Sequence, residues 1–207
     1  MFNKIKQEDI IIFISCIIVS IIVFVVFNNN QSFTKIIDNN IDAMVEIEGK
    51  TEDSIISKGT GISVKKGYIV TNYHIIKNSD SIFFRLNDSL KQYELKIVSF
   101  DAKLDLALLK YDEDIKIKYI SFGNSSNVKL GEEIITIGNS KGYGLSINSG
   151  VVSSYVKKIE LDSYRRDVLQ ISVPTVDGDS GGAVINKKGK VIGMMAFKTV
   201  NIINNST

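Results

Sequence analysis

Residues 173–185 read VPTVDGDSGGAVI, a single serine set among glycines and aspartates just before a segment that alternates like a strand. A surface turn explains such a composition on backbone grounds alone, because Gly permits positive φ and Asp bonds its own backbone. A second reading gives the stretch a chemical purpose. Gly178, Asp179 and Ser180 would aim two backbone N–H groups and one hydroxyl at a single point, as acyl transfer requires. The rest of the chain decides between the two.

Upstream and downstream of this stretch, short apolar runs alternate with Gly, Asn and Asp clusters. AMVEIEG, GTGISV, GYIVT, SIFFRL, YELKIVSF and LALLKY form one group; GEEIITIG, LSINSGVVSS, VLQISV, GAVIN and KVIGMMAF form another. Many short strands with turn signals and almost no helical periodicity predict an all-β sandwich or barrel. NKKGK, between the last two runs, predicts a hairpin, and Pro174 falls between strands, where a missing N–H does no harm. Lys187, Lys188 and Lys190, and likewise Arg165 and Arg166, read as solvated turn residues. GNSKGYGLSINSG lacks the Lys-Ser/Thr ending and following helix of a phosphate loop, and reads as a loop before a strand.

Composition removes several classes. The 207 residues carry 25 Lys and Arg against 23 Asp and Glu, a net charge of +2, so no basic footprint points to nucleic acid. The one cysteine, Cys16, and the one histidine, His74, leave no intrachain disulfide and no Cys/His zinc cluster. No metal and no cofactor are expected. Residues 10–27, IIIFISCIIVSIIVFVVF, run without a charge and as a helix would span about 27 Å, near bilayer hydrocarbon thickness. Three alternatives compete with a membrane anchor: a cleaved signal, a lipoprotein signal at Cys16, and a buried helix. No A-x-A-like cut site follows the run, and Cys16 sits in its middle, which favours an uncleaved single span. Lys4 and Lys6 before it place the N-terminus in the cytoplasm and the remaining chain outside.

Ser180 needs a base to become a nucleophile, and His74, in GYIVTNYHII, is the one histidine available. The base in turn needs a carboxylate to hold its tautomer. Asp105 stands between Leu104 and Leu106 in DAKLDLALLKY, whereas Asp101, Asp112 and Asp114 have polar surroundings and read as solvent-facing. A buried carboxylate requires a partner, so Asp105 is the one matched to the histidine.

The order TNYHII, DLALLK, GDSGGAV resembles trypsin-like serine proteases, most closely those of the HtrA (Deg) type, over residues 41–195. The resemblance implies two perpendicular six-stranded β-barrels of the chymotrypsin-like kind, preceded by one N-terminal transmembrane helix. The expected layout is a cytoplasmic tail (1–9), an anchor (10–27), a stalk (28–40) and a protease domain (41–207), its barrels at about 41–118 and 119–207. It implies catalysis by His74, Asp105 and Ser180, an oxyanion hole from the N–H groups of Gly178 and Ser180, and a substrate pocket near Thr175, Met195, Ala196, Phe197 and Lys198. The implied activity is a serine endopeptidase acting on protein substrates outside the cytoplasm, with a role in protein quality control. A homotrimer with a contact near Phe33 also follows from the family. The alternative is a latent or non-catalytic binding module with the same fold.

Two departures stand out. HtrA proteases usually carry Asn where this chain has Asp179, and an ionised, buried Asp179 calls for a cation. Relatives also continue with a further strand and helix, then often PDZ domains, whereas this sequence ends at Thr207. The last barrel strand is expected either from residues 199–203 or not at all, and no PDZ domain is expected.

Overall fold

The computed structural model describes residues 7–28, 32–52, 54–87, 89–161 and 164–196. Among the described residues three α-helices, α1 (Gln7–Asn28), α2 (Phe33–Asn40) and the single-turn α3 (Tyr73–Ile76), accompany eleven strands. Six of these, β1 (Met44–Lys50), β2 (Ile55–Lys65), β3 (Tyr68–Thr71), β4 (Ser81–Leu86), β5 (Gln92–Asp101) and β6 (Leu106–Lys110), close a barrel in the order β1-β2-β3-β6-β5-β4. The others, β7 (Glu133–Gly138), β8 (Ser146–Leu161), β9 (Tyr164–Ser172), β10 (Ala183–Asn186) and β11 (Val191–Met194), form a sheet in the order β11-β10-β7-β8-β9.

The expected second six-stranded barrel is therefore an open, five-stranded half-barrel among the described residues. The first barrel shows why. Its sixth strand lies between the third and the fifth, so the equivalent place in the second sheet is between β9 and β11. A strand there would come after β11, and residues 199–203 lie outside the described residues.

Strand β1 explains how the two units join. Its inward residues, Val45 and Ile47, pack with Ile69, Phe84 and Leu109 inside the barrel. Met44, on the opposite face, packs with Ile36, Ile62, Ile137 and Ile185 against the second sheet. Both faces of β1 are covered, which is why its burial is continuous where a strand exposed on one side would alternate. Glu46 and Glu48 share the outward face and are buried with it, and Arg85 of β4 ion-pairs with both, at 2.9 and 3.2 Å.

Three other expectations change. The second half of the expected stalk is α2, capped by the Ser32 hydroxyl, which accepts from Lys35 N–H; Ile36 is fully buried in the central core and Phe33 packs beside it. The sequence allowed a short helical turn in this polar stalk, and α2 extends it to eight residues with a buried face. Arg165 and Arg166 lie in β9 rather than in a turn, because β8 and β9 form a longer hairpin than the apolar runs indicated, paired as far as Leu161 with Tyr164. The 10–27 run is helical within α1, but no helix among the described residues is long and apolar enough to cross a membrane.

Candidate active site

Strand register brings the histidine and aspartate to one end of the first barrel. β3 and β6 are antiparallel neighbours with Thr71 opposite Ala107, so the residues following β3 meet those preceding β6. His74 sits in α3, three residues past Thr71, and Asp105 in the turn before Leu106. The Asp105 carboxylate grips the histidine twice, Oδ1 accepting from His74 N–H at 2.9 Å and Oδ2 lying 2.8 Å from His74 Nδ1. Its carbonyl accepts from Tyr73 N–H at 3.2 Å and from Asn72 Nδ2 at 3.0 Å. These bonds hold Asp105 at φ 56°, a left-handed conformation that a short polar side chain tolerates better than most. The side-chain exposures, 39% for His74 against 9% for Asp105, describe a ring open to solvent on a buried anionic base. A carboxylate in that position fixes which ring nitrogen carries the proton and stabilises the imidazolium.

Ser180 comes from the second sheet, in the loop before β10. Because Ala183 pairs with Ile137, that loop lies beside the one that leaves β7 at Gly138. Its backbone is tied from three sides: Thr60 N–H donates to Ser180 O at 2.8 Å, Gly181 N–H to Met195 O at 2.8 Å, and Gly182 N–H to Asp179 O at 2.9 Å. Gly178 (φ 96°) and Gly181 (φ 84°) are both in backbone conformations reserved in practice for glycine. A Cβ at Gly178 would collide with the Asn139 carbonyl oxygen, and one at Gly181 with the Thr60 carbonyl oxygen. The Ser180 hydroxyl reaches the Ala196 carbonyl at 3.5 Å, and no described hydrogen bond joins it to the His74 ring. His74 and Asp105 are thus in contact, while the Ser180 hydroxyl is turned to the Ala196 carbonyl.

The remaining predicted residues scatter. Thr175 is half-buried; Met195 packs its side chain into the core of the second sheet with Val152 and Val184, and only its backbone meets the Ser180 loop. Ala196 meets the Ser180 hydroxyl; Phe197 and Lys198 lie outside the described residues. A cavity of about 630 Å³ opens elsewhere between the two units, lined by Ile62, Phe100, Leu106, Phe122 and Met194, and includes none of the three predicted catalytic residues. Asp179 is buried without a cation among the described contacts: Ser140 Oγ donates to its Oδ1 at 2.5 Å and Val176 N–H to its Oδ2 at 2.8 Å. Two neutral donors stand where a charge was expected.

Comparison with known proteins now has a geometry to meet. Residues 59–194 match the family model described as a trypsin-like peptidase domain, a stretch that contains His74, Asp105 and Ser180. The chain belongs to the trypsin-like peptidase family. Within that family it is 35% identical, over 158 residues, to a probable periplasmic serine endoprotease, DegP-like, of Rickettsia prowazekii (strain Madrid E); the match covers 75% of this chain and 31% of that protein. It is 30% identical over 159 residues to the magnetosome formation protease MamE of Magnetospirillum gryphiswaldense, covering 75% of this chain and 21% of MamE. The HtrA-type protease AlgW, solved with a tripeptide, superposes with a TM-score of 0.72 at 27% identity, over 79% of this chain and 54% of AlgW. A serine endoprotease from Yersinia pestis shares the fold, with a TM-score of 0.69 at 24% identity over 82% of this chain and 58% of that one. The chain spans less than a third of the length of the curated relatives it matches.

Sequence reasoning missed several residues of this trypsin-like site. Thr60 is fully buried and donates its hydroxyl to Gly178 O at 3.1 Å; Asn139, also fully buried, donates its N–H to Thr60 Oγ1 at 2.7 Å. Thr60 lies in GTGISV and Asn139 in IGNSKG, both flanked by glycine, which was the one available signal that the backbone passes close to something there.

Proposed function

We propose that this chain is a serine endopeptidase of the HtrA type, with Ser180 as nucleophile, His74 as general base and then general acid, and Asp105 as the group that holds the imidazole. In the proposed cycle Ser180 Oγ attacks the scissile carbonyl as His74 Nε2 takes its proton. The tetrahedral oxyanion is stabilised by the N–H groups of Gly178 and Ser180, the leaving amine takes the proton from His74, and water resolves the acyl-enzyme by the reverse roles. The observation that carries this reading is the double hydrogen bond from Asp105 to the backbone and ring of His74, beside a serine loop shaped by two positive-φ glycines. Labelling the purified protein with a fluorophosphonate tests it: labelling in wild type and its loss in both Ser180→Ala and His74→Ala is the expected result. A folded wild-type protein that never labels would overturn it.

One observation favours a second reading, a latent or non-catalytic module. The Ser180 hydroxyl faces Ala196 O rather than the imidazole. On that reading the hydroxyl reaches the imidazole only when substrate or a partner turns it from Ala196 O. Slow labelling that accelerates with a peptide substrate would favour latency over constitutive activity.

The working location follows from the same reading. The relatives named periplasmic support an extracytoplasmic peptidase; a membrane anchor rests on the sequence alone, on the uncharged 10–27 run and the Lys4 and Lys6 flank, and no helix among the described residues carries it. Retention of the chain in membranes after an alkaline carbonate wash is expected; release by that wash would remove the anchor. Protein substrates exposed outside the cytoplasm, with small or medium apolar residues before the cleaved bond, fit the absence of an acidic residue among the predicted pocket residues. A role in quality control rests on the family, as does the homotrimer, which a mass measurement in detergent decides.

A further inference from the structure

We propose that Thr60, a residue of the first barrel, is the positioning residue for the oxyanion loop of the second, and that Asn139 and the Glu46–Arg85 ion pair fix where it acts. The inference rests on the serine-peptidase reading above and names the residue that sets its transition-state site.

The starting point is the peptide plane. In a trans peptide N–H and C=O point in opposite directions, so whatever fixes a carbonyl also aims the N–H on its far side. Three consecutive carbonyls in the nucleophile loop are held. Asp177 O accepts from Lys141 N–H at 2.6 Å, Gly178 O from Thr60 Oγ1 at 3.1 Å, and Asp179 O from Gly182 N–H at 2.9 Å. The first and third set the directions of the Gly178 and Ser180 N–H groups, neither of which donates to any described acceptor. The second fixes the peptide that joins them, whose own N–H, that of Asp179, donates to Val176 O at 3.3 Å, so the plane between the two N–H groups is pinned on both edges. Only the Thr60 bond comes from the other structural unit, and it comes from a side chain.

Thr60 is built for one orientation. All its polar atoms are used: N–H to Ser180 O at 2.8 Å, O from Thr71 Oγ1 at 2.6 Å, and Oγ1 both accepting from Asn139 N–H and donating to Gly178 O. A hydroxyl has one proton, so the N–H arriving from Asn139 forces that proton toward Gly178 O. Asn139 is held in turn, its Oδ1 accepting from Gly144 N–H at 3.0 Å and its Nδ2 donating to Glu46 Oε2 at 3.3 Å, the oxygen that also pairs with Arg85. The chain of contacts runs from the buried ion pair on β1 and β4 through Asn139 and Thr60 to Gly178, inside a low-dielectric core, where such bonds are strongest.

The test compares Thr60→Val, which is nearly isosteric but has no hydroxyl, with Thr60→Ser, which keeps it. In Thr60→Val, kcat on a peptide substrate and the fluorophosphonate labelling rate are expected to fall about 10²-fold, the scale of a misplaced oxyanion donor, with KM within about twofold. Thr60→Ser is expected to recover to within about threefold of wild type. A purely structural role would lower thermal stability in Thr60→Val while leaving kcat intact, and that result overturns the proposal. Amide hydrogen exchange gives a readout independent of activity: the Asn139 amide should exchange faster in Thr60→Val and at the wild-type rate in Thr60→Ser. Unchanged exchange overturns the proposal even if the wild-type protein proves inert, whereas an inert wild type with the expected exchange change defeats the peptidase reading alone. Should Thr60→Val fail to fold, Glu46→Gln removes the charge that anchors Asn139; a fall of about threefold to tenfold in kcat is expected, and no change overturns the inference.

Discussion

The first barrel closes on itself and holds its two site residues by direct contacts within one wall; the second sheet is open among the described residues and holds its serine largely by contacts borrowed from elsewhere. Asp105 and His74 come from turns at the ends of adjacent, paired strands, so the geometry of base and carboxylate is as rigid as the β3–β6 ladder. The Ser180 loop is instead fixed by Thr60 from the other unit, by the 139–144 loop, and by the backbone of Met195. On the proposed assignment the difference teaches where control of such a site lies: the histidine–aspartate half is preassembled, and the half that holds Ser180 depends on what surrounds it.

The largest effect breaks the comparison on the serine side. Ser180→Ala is expected to reduce kcat by about 10⁶-fold with the protein still folded, because without a nucleophile the rest of the machinery has nothing to activate. Circular dichroism and a peptide assay on the same preparation check both halves of the claim. Proteolysis unchanged in that variant would mean that Ser180 is an ordinary turn residue.

On the barrel side, Asp105→Asn keeps the shape and removes the charge. The amide can still accept from His74 N–H, but the group facing Nδ1 becomes a donor or a neutral acceptor, and the imidazole takes the wrong tautomer. A loss of about 10⁴ in kcat with KM nearly unchanged is expected from steady-state kinetics. A loss confined to KM would mean that Asp105 shapes binding and not the base.

How much of this was legible in the sequence follows the same division. Strands of the first barrel were legible as short apolar runs between Gly, Asn and Asp clusters, because those signals are local; Asp105 is buried, but Leu104 and Leu106, the neighbours that suggested it, are exposed, and its burial comes with its contacts to Asn72, Tyr73 and His74. Ser180 and Gly178 were legible because a glycine cluster marks a constrained backbone. Thr60 and Asn139 were not, since their importance lies in contacts between residues 79 and 118 positions apart, which no local pattern records. The β8–β9 hairpin escaped for another reason: YVKKIEL and YRRD carry charge where the apolar run ends, so the strand continued past its own signal.

A core deletion separates the two units by stability rather than by chemistry. Phe84 is fully buried and stacks near Tyr93 and Tyr111, with ring centroids at 5.2 and 5.6 Å. Phe84→Ala should lower unfolding free energy by about 3–5 kcal/mol, from lost transfer energy and the cavity left in a closed barrel that cannot collapse around it. Denaturant melts give the number, and a value below about 1 kcal/mol would mean that the barrel repacks and is not the rigid half.

The smallest effect probes the borrowed contacts. Ser140 donates to the buried Asp179 carboxylate and also meets the Ser146 hydroxyl, so Ser140→Ala leaves Asp179 with Val176 N–H as its remaining described donor. Losing one hydrogen bond to a buried charged group is worth about 1.5–3 kcal/mol, reduced where water can reach the gap. The expected signature is a modest drop in stability together with a fall in kcat of a few fold, because Asp179 sits between the two residues whose N–H groups are assigned to the oxyanion. Asp179→Asn in the same background should recover part of the stability, since a neutral amide does not require the second donor. If Ser140→Ala lowered stability with kcat untouched, the 139–144 loop would be a brace for the fold, and control of the oxyanion half would pass to Thr60 alone.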